Sequence, residues 1–192
     1  AKRNKSNQNE TKRNKTKPKP NKNDNDIETT IVAHSISGEI AHLISLAPTF
    51  NLKHIIFLDS CYPSLTVKQS WKKTATNAIN STDPSKYYEN LFNSYLSKSC
   101  ENDIKKKVIS TMLEISPTWT SLVLSSTKVL DKEKKAKCKV SIIESYDSFS
   151  EDIDYSWKEV YQTSDVIRTK LPGHFYFLEE FDESIEILKK ML

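Results

Sequence analysis

Thr29-Thr30-Ile31-Val32-Ala33-His34-Ser35-Ile36-Ser37-Gly38-Glu39-Ile40-Ala41-His42-Leu43-Ile44 decides how this chain is read. Its first five residues are short and β-branched up to Ala33, as expected of a strand buried in a parallel sheet. From Gly38 the period changes: Ile40, Leu43, Ile44 and Ala47 fall on one face of a helix that Pro48 ends. A turn this tight strains the backbone at its apex, and only small neighbours leave room for the helix to cross back. Ala33, Ser37 and Gly38 are all small, so Ser35 is expected at the strand end with its hydroxyl presented outward.

Outward from this unit, strand and helix alternate. His54-Ile55-Ile56-Phe57-Leu58 reads as a second buried strand, Lys139-Val140-Ser141-Ile142-Ile143 as a third and Asp165-Val166-Ile167-Arg168-Thr169 as a weaker fourth. The carboxyl-terminal helix, Asp182 to Leu192, is expected to turn Ile185, Leu188 and Leu192 inward. Residues 60–138 are too many for a structureless loop in a compact domain. Thr82-Asp83-Pro84 reads as a cap followed by proline at the first helical position, opening a helix with Tyr87, Tyr88, Leu91, Phe92 and Tyr95. Two more helices are expected, around Asp103–Leu113 and from Ser116-Pro117 to about Val129. The fold class is therefore α/β, a mostly parallel sheet with a helical insertion at about 61–137 of the kind that serves as a lid.

The chain has 192 residues, enough for one sizeable core, yet only 36% are hydrophobic. The deficit is local. Residues 1–26 contain no Ile, Leu, Val, Phe, Trp or Tyr and carry a net charge of +6, which leaves −2 for residues 27–192. Such a segment cannot offset the entropy of ordering, so a disordered basic tail is expected at 1–26 and the folded domain at 27–192. The tail lacks aromatic side chains for base stacking, which argues against specific nucleic-acid binding. No apolar run approaches the ~18 residues of a membrane span. Cys61, Cys100 and Cys138 are odd in number and widely spaced, an argument against a disulfide framework or a zinc site and for a reducing, cytoplasmic setting.

Chemistry enters at the strand ends. A serine hydroxyl needs an imidazole to take its proton and a carboxylate to orient that imidazole. Ser35 follows the first strand, Asp59 the second in Phe57-Leu58-Asp59-Ser60, and His174 the fourth in Leu171-Pro172-Gly173-His174-Phe175. Carboxyl ends of parallel strands share one edge of the sheet, where open α/β sheets place their sites. The backbone N–H of Ile36, just after the candidate nucleophile, is the expected oxyanion donor. Asp147, after the third strand, is the rival acid, with Asp152 and Asp154 behind it. His34 reads as a supporting or packing residue. Neither His42 nor His54 shows metal-ligand spacing, and no cofactor or metal is expected. Trp71, Trp119 and Trp157 with Tyr87, Tyr88 and Tyr95 read as core or as the lining of an acyl channel.

Residues 31–61, IVAHSISGEIAHLI through HIIFLDSC, resemble the serine hydrolase core of the α/β-hydrolase fold, where the elbow usually reads G-H-S-x-G-G. Within it, the chain is similar to the thioesterase domains that end fatty-acid, polyketide and nonribosomal-peptide synthases. Their acid commonly follows the strand after the nucleophile helix, as Asp59 does, and their ends carry an aromatic stretch and then P-G-x-H-F. Asp154-Tyr155-Ser156-Trp157 and Leu171-Pro172-Gly173-His174-Phe175 follow that arrangement with two departures: no residue stands between Gly173 and His174, and Ala33 and Ser37 replace the elbow's flanking glycines.

The resemblance implies the carboxyl-terminal part of an α/β-hydrolase fold, with Ser35, His174 and Asp59 as catalytic residues. It implies an acyl thioester substrate on the phosphopantetheine arm of an acyl carrier protein, within a larger multidomain synthase. The second oxyanion donor is expected from a loop upstream of this chain. The alternatives are another α/β-hydrolase, an esterase or lipase, and a catalytically silent fragment or interaction domain.

Overall fold

Four short runs rich in β-branched and aliphatic residues pair side by side in one parallel sheet. They are β1 (Thr29–His34), β2 (Leu52–Leu58), β3 (Lys139–Glu144) and β4 (Asp165–Arg168), in the order β1-β2-β3-β4. The computed structural model describes residues 28–48, 51–131, 133–146, 157, 160–161 and 165–192. The expected tail 1–26 lies outside the described residues.

Strand β2 shows why the sheet sits in the middle. Its side chains alternate between two faces, and both faces are covered. Ile55 and Phe57 enter one core with Ala33, Ala41, Val140, Ile142 and Trp157, while Ile56 and Leu58 enter another with Ile143, Leu171, Tyr176 and Met191. Phe57 stacks on the fully buried Trp157 with ring centroids 4.3 Å apart and planes 3° from parallel. Such a stack contributes ~0.5–1.5 kcal/mol beyond the area it buries.

Between β2 and β3 lie four helices, α2 (Leu65–Ile79), α3 (Pro84–Tyr95), α4 (Asn102–Glu114) and α5 (Pro117–Ser126). Helix α3 starts as the sequence predicts: Asp83 caps it, its carboxylate accepting the Lys86 N–H at 2.9 Å, with Pro84 in the first turn. Tyr88 and Phe92 of α3 pack with Ala78 of α2, and the Tyr88 and Ser121 hydroxyls, 2.8 Å apart, link α3 to α5. Helix α2 is an element the sequence reading left unnamed, capped by Ser64, whose hydroxyl accepts the Val67 N–H at 3.3 Å. The chain ends in α6 (Tyr176–Glu179) and α7 (Phe181–Lys189). Among the described residues no helix is long and apolar enough to cross a membrane.

The inward face of the helix after β1 is a finding of the structure, and the expected inward face of the carboxyl-terminal helix is corrected. Helix α1 (Ser37–Ser45) buries Gly38, Ala41 and His42, while Ile40 and Leu43 are 61% and 48% exposed. The cause is close approach at the start of the helix: a Cβ on Gly38 would lie 2.9 Å from the Ser60 Cβ and 3.2 Å from the Trp157 ring, so that position admits no side chain. At the carboxyl terminus, Met191 is buried and Leu192 is 77% exposed. The inward stripe runs through Ser184, Ile187, Leu188 and Met191, which keep helical spacing, in place of the expected Ile185, Leu188 and Leu192. Among the tryptophans, Trp157 is core, whereas Trp119 is 63% exposed.

Candidate active site

Ser35 and Asp59 end their strands in the same unusual way. Both have positive φ, 54° for Ser35 and 44° for Asp59, in a region that non-glycine residues rarely occupy at a cost of ~1–3 kcal/mol. The sheet holds them there. The Ser35 N–H donates to the Leu58 carbonyl at 3.1 Å, and the Asp59 N–H to the Ile143 carbonyl at 2.8 Å, so each strand is anchored to its neighbour at the residue that leaves it.

The turn carrying Ser35 is closed by a residue that stands where the resembled pattern has glycine. The Ser37 hydroxyl donates to the His34 carbonyl at 2.6 Å and accepts the His34 N–H at 2.9 Å. The Gly38 N–H returns to the Ser35 carbonyl at 3.1 Å. Ile36 sits at the N-cap of α1 with helical φ and ψ, so its N–H belongs to the helix-end donors that lack a carbonyl partner within the helix. Ser60, after Asp59, donates its hydroxyl to the Ala33 carbonyl at 3.0 Å and ties the end of β2 to that of β1.

Asp59 and His174 are brought together. The Asp59 carboxylate, 2% exposed, accepts three hydrogen bonds: from the Ser145 N–H at 2.9 Å, the Ser145 hydroxyl at 3.0 Å and His174 Nδ1 at 3.0 Å. A carboxylate only accepts, so Nδ1 carries the proton and Nε2 keeps the lone pair. The histidine is itself buried, at 4% exposed, and is fixed from two further directions. Its N–H donates to the Tyr95 carbonyl at 2.7 Å, and its carbonyl accepts from His34 Nε2 at 2.9 Å.

The His34 and His174 rings lie 4.4 Å apart. Burial first, and the neighbouring His174 second, depress the His34 pKa from 6.5 to about 3, which keeps that ring neutral. His34 precedes Ser35, so the turn that carries the hydroxyl is in direct contact with the loop that carries the imidazole.

The three residues expected at the carboxyl ends of β1, β2 and β4 are thus at one edge of the sheet, and among the described residues Asp59 is the carboxylate that bonds to His174. Asp147, Asp152 and Asp154 lie outside the described residues. His42 bonds to the Tyr161 hydroxyl, and His54 Nε2 lies 2.8 Å from the Ser141 hydroxyl; burial lowers the pKa of both, and both knit the core. Cys61, Cys100 and Cys138 are free thiols. Among the described residues no three His, Cys, Asp or Glu side chains group to hold a metal ion. Sequence reasoning missed Ser145, which supplies two of the three bonds to Asp59; it stands two residues before Asp147, in a segment read only for its carboxylate.

Neither a family model nor a curated protein matches the sequence. Solved structures do. A lipase-esterase related protein from Clostridium acetobutylicum ATCC 824 is 17% identical with a TM-score of 0.64, covering 85% of this chain and 65% of that one. A thermophilic esterase from Thermogutta terrifontis, with malate bound, is 12% identical with a TM-score of 0.65, covering 85% and 64%. An esterase from Exiguobacterium antarcticum is 14% identical with a TM-score of 0.67, covering 84% and 65%. The chain has the α/β-hydrolase fold. It spans just under two-thirds of the length of each of these three.

Proposed function

We propose that this chain carries the nucleophile, base and acid of a serine hydrolase acting on carboxylic esters. One observation supports it above the rest: the buried Asp59 carboxylate 3.0 Å from His174 Nδ1, next to a turn that holds a serine at φ 54°.

The chemistry follows from the tautomer. Nε2 of His174 accepts the Ser35 proton as the hydroxyl oxygen attacks the ester carbonyl, and Asp59 stabilises the imidazolium that forms. The Ile36 N–H faces the developing oxyanion; a single such donor is typically worth about 10²–10³ in rate. Collapse of the tetrahedral intermediate breaks the ester C–O bond, and the imidazolium returns its proton to the departing alcohol. Water then attacks the acyl-serine by the same route.

A second reading shares this machinery and changes the substrate to an acyl thioester on the phosphopantetheine arm of a carrier protein. The acid's position favours it: Asp59 follows β2, as in the synthase-terminal thioesterases that the sequence resembles. Helices α2–α5 would then cover the acyl chain.

Labelling of Ser35 by a fluorophosphonate is the direct test. The native chain should label and Ser35→Ala should not. Failure to label, with helical circular dichroism intact, would sink both readings in favour of a silent domain. Relative kcat/KM on p-nitrophenyl butyrate and on an acyl-carrier thioester then separates ester from thioester.

A further inference from the structure

We propose that Glu179 is a positioning residue for His174, acting through the corner between α3 and α4. The proposal rests on the reading of His174 as the general base. Glu179 closes α6, five residues after His174, and its carboxylate reaches back across the loop to Ser97. It accepts the Ser97 N–H through both oxygens, at 3.1 and 3.3 Å, and also the Ser97 hydroxyl. Ser97 follows α3 by two residues, and just before it Tyr95 offers the carbonyl that receives the His174 N–H at 2.7 Å. One carboxylate therefore fixes the strand of backbone from which His174 hangs.

Gly173 shows how close this fit is. Its φ is +83°, and a Cβ there would lie 2.7 Å from Glu179 Oε1, 2.8 Å from the Ser97 nitrogen and 3.3 Å from the Tyr95 carbonyl oxygen. The carboxylate, the corner and the loop thus meet at the one residue before the imidazole. Leu96, Val108 and Phe175 pack beside them in a small apolar cluster, and the Tyr95 ring lies 5.4 Å from the His174 ring. The imidazole is held on one side by Asp59, at the end of a sheet strand. On the other it is held by the helical insertion, and Glu179 is the hydrogen-bonded clasp between that insertion and the histidine loop. A shift of the corner by about 1 Å would carry the Tyr95 carbonyl with it and misplace Nε2, an error that typically costs up to ~10² in rate.

Two readouts on the full chain test this. The first is the downfield proton of His174 Nδ1 by NMR, assigned by its loss in His174→Gln, which needs no activity. The second is the pH profile of Ser35 labelling by the fluorophosphonate. Glu179→Ala should shift or broaden the Nδ1 proton and slow labelling about 10- to 100-fold with a displaced pH midpoint. Glu179→Gln, which keeps an acceptor for the Ser97 N–H, should recover part of both. If Glu179→Ala fails to fold, Ser97→Ala removes the hydroxyl's bonds to Glu179 and Ser99, keeps the N–H bond, and should move both readouts in the same direction. An unmoved Nδ1 proton with labelling within twofold of native, in a folded variant, overturns the proposal. Should the native chain not label at all, the hydrolase reading falls, and the Nδ1 proton alone decides the clasp: moved in Glu179→Ala it stands, unmoved it fails.

Discussion

Changing Asp59 to Asn separates the acid's chemical role from its structural one. The backbone at 59 has φ 44°, a conformation that Asn tolerates better than almost any other side-chain-bearing residue, so the strand end should survive. The side chain cannot do the same work. Three donors converge on the carboxylate, at 2.9, 3.0 and 3.0 Å, and an amide offers only one oxygen to receive them. If that oxygen stays on the Ser145 N–H, the amide NH₂ faces the Ser145 hydroxyl, which can turn and accept, and His174 Nδ1, which must then give up its proton. The proton moves to Nε2, and the imidazole can no longer take one from Ser35. A wrong tautomer of this kind lowers the rate about 10⁴-fold, or ~5 kcal/mol of barrier, while leaving the fold intact. Fluorophosphonate labelling rates and a thermal melt on the same preparation measure the two halves. Labelling of Asp59→Asn within tenfold of native, or a comparable loss in Asp147→Asn instead, would refute the assignment of the acid.

Gly38→Ala should destabilise although it improves helix propensity by ~1 kcal/mol. The new Cβ meets Ser60 at 2.9 Å and Trp157 at 3.2 Å, and overpacking costs ~1–3 kcal/mol, so the midpoint of thermal unfolding should fall by about 2–4 °C. A rise would contradict the close approach of α1 to the sheet. His34 gives a pH signature. Its pKa is about 3 when folded and 6.5 ordinarily, so below pH 6.5 the unfolded chain takes a proton that the folded one refuses, and stability falls as pH drops towards 3. The slope from this residue reaches at most ~1.4 kcal/mol per pH unit; His34→Gln, which keeps a donor for the His174 carbonyl, should remove that share from urea midpoints taken between pH 4 and 7. An unchanged slope would count against a neutral buried ring.

Where apolar runs are dense, the fold was legible. Ile55–Leu58 and Val140–Ile143 are buried on both faces, and such strands announce themselves as short, mostly apolar runs, interrupted here only by Ser141. Helix α3 was legible through Asp83-Pro84, a local signal independent of tertiary structure. Helix α2 was not, because it buries only Val67, Ala75 and Ala78, and small residues among Lys, Gln and Thr leave no strong stripe. The inward face of α1, Gly38, Ala41 and His42, was not legible for a related reason: periodicity finds the most apolar stripe, but the separation between helix and sheet decides which stripe fits. At the site, chain order and strand ends were enough to bring Ser35, Asp59 and His174 forward. Ser145, Ser97 and Glu179 stayed invisible, since a polar loop residue gains its partner only from long-range packing.

The way the three candidate residues are moored has a consequence for partial unfolding. Ser35 and Asp59 belong to the inter-strand ladder, and their amides should exchange with solvent about as slowly as the central strand. His174 is moored instead to a loop whose outer support is the Tyr95 carbonyl, on the helical segment between β2 and β3, outside the sheet. Opening of that segment alone would leave the hydroxyl and the carboxylate in register and release only the imidazole. The proposed triad would then come apart before the sheet does, and re-form on closing without refolding.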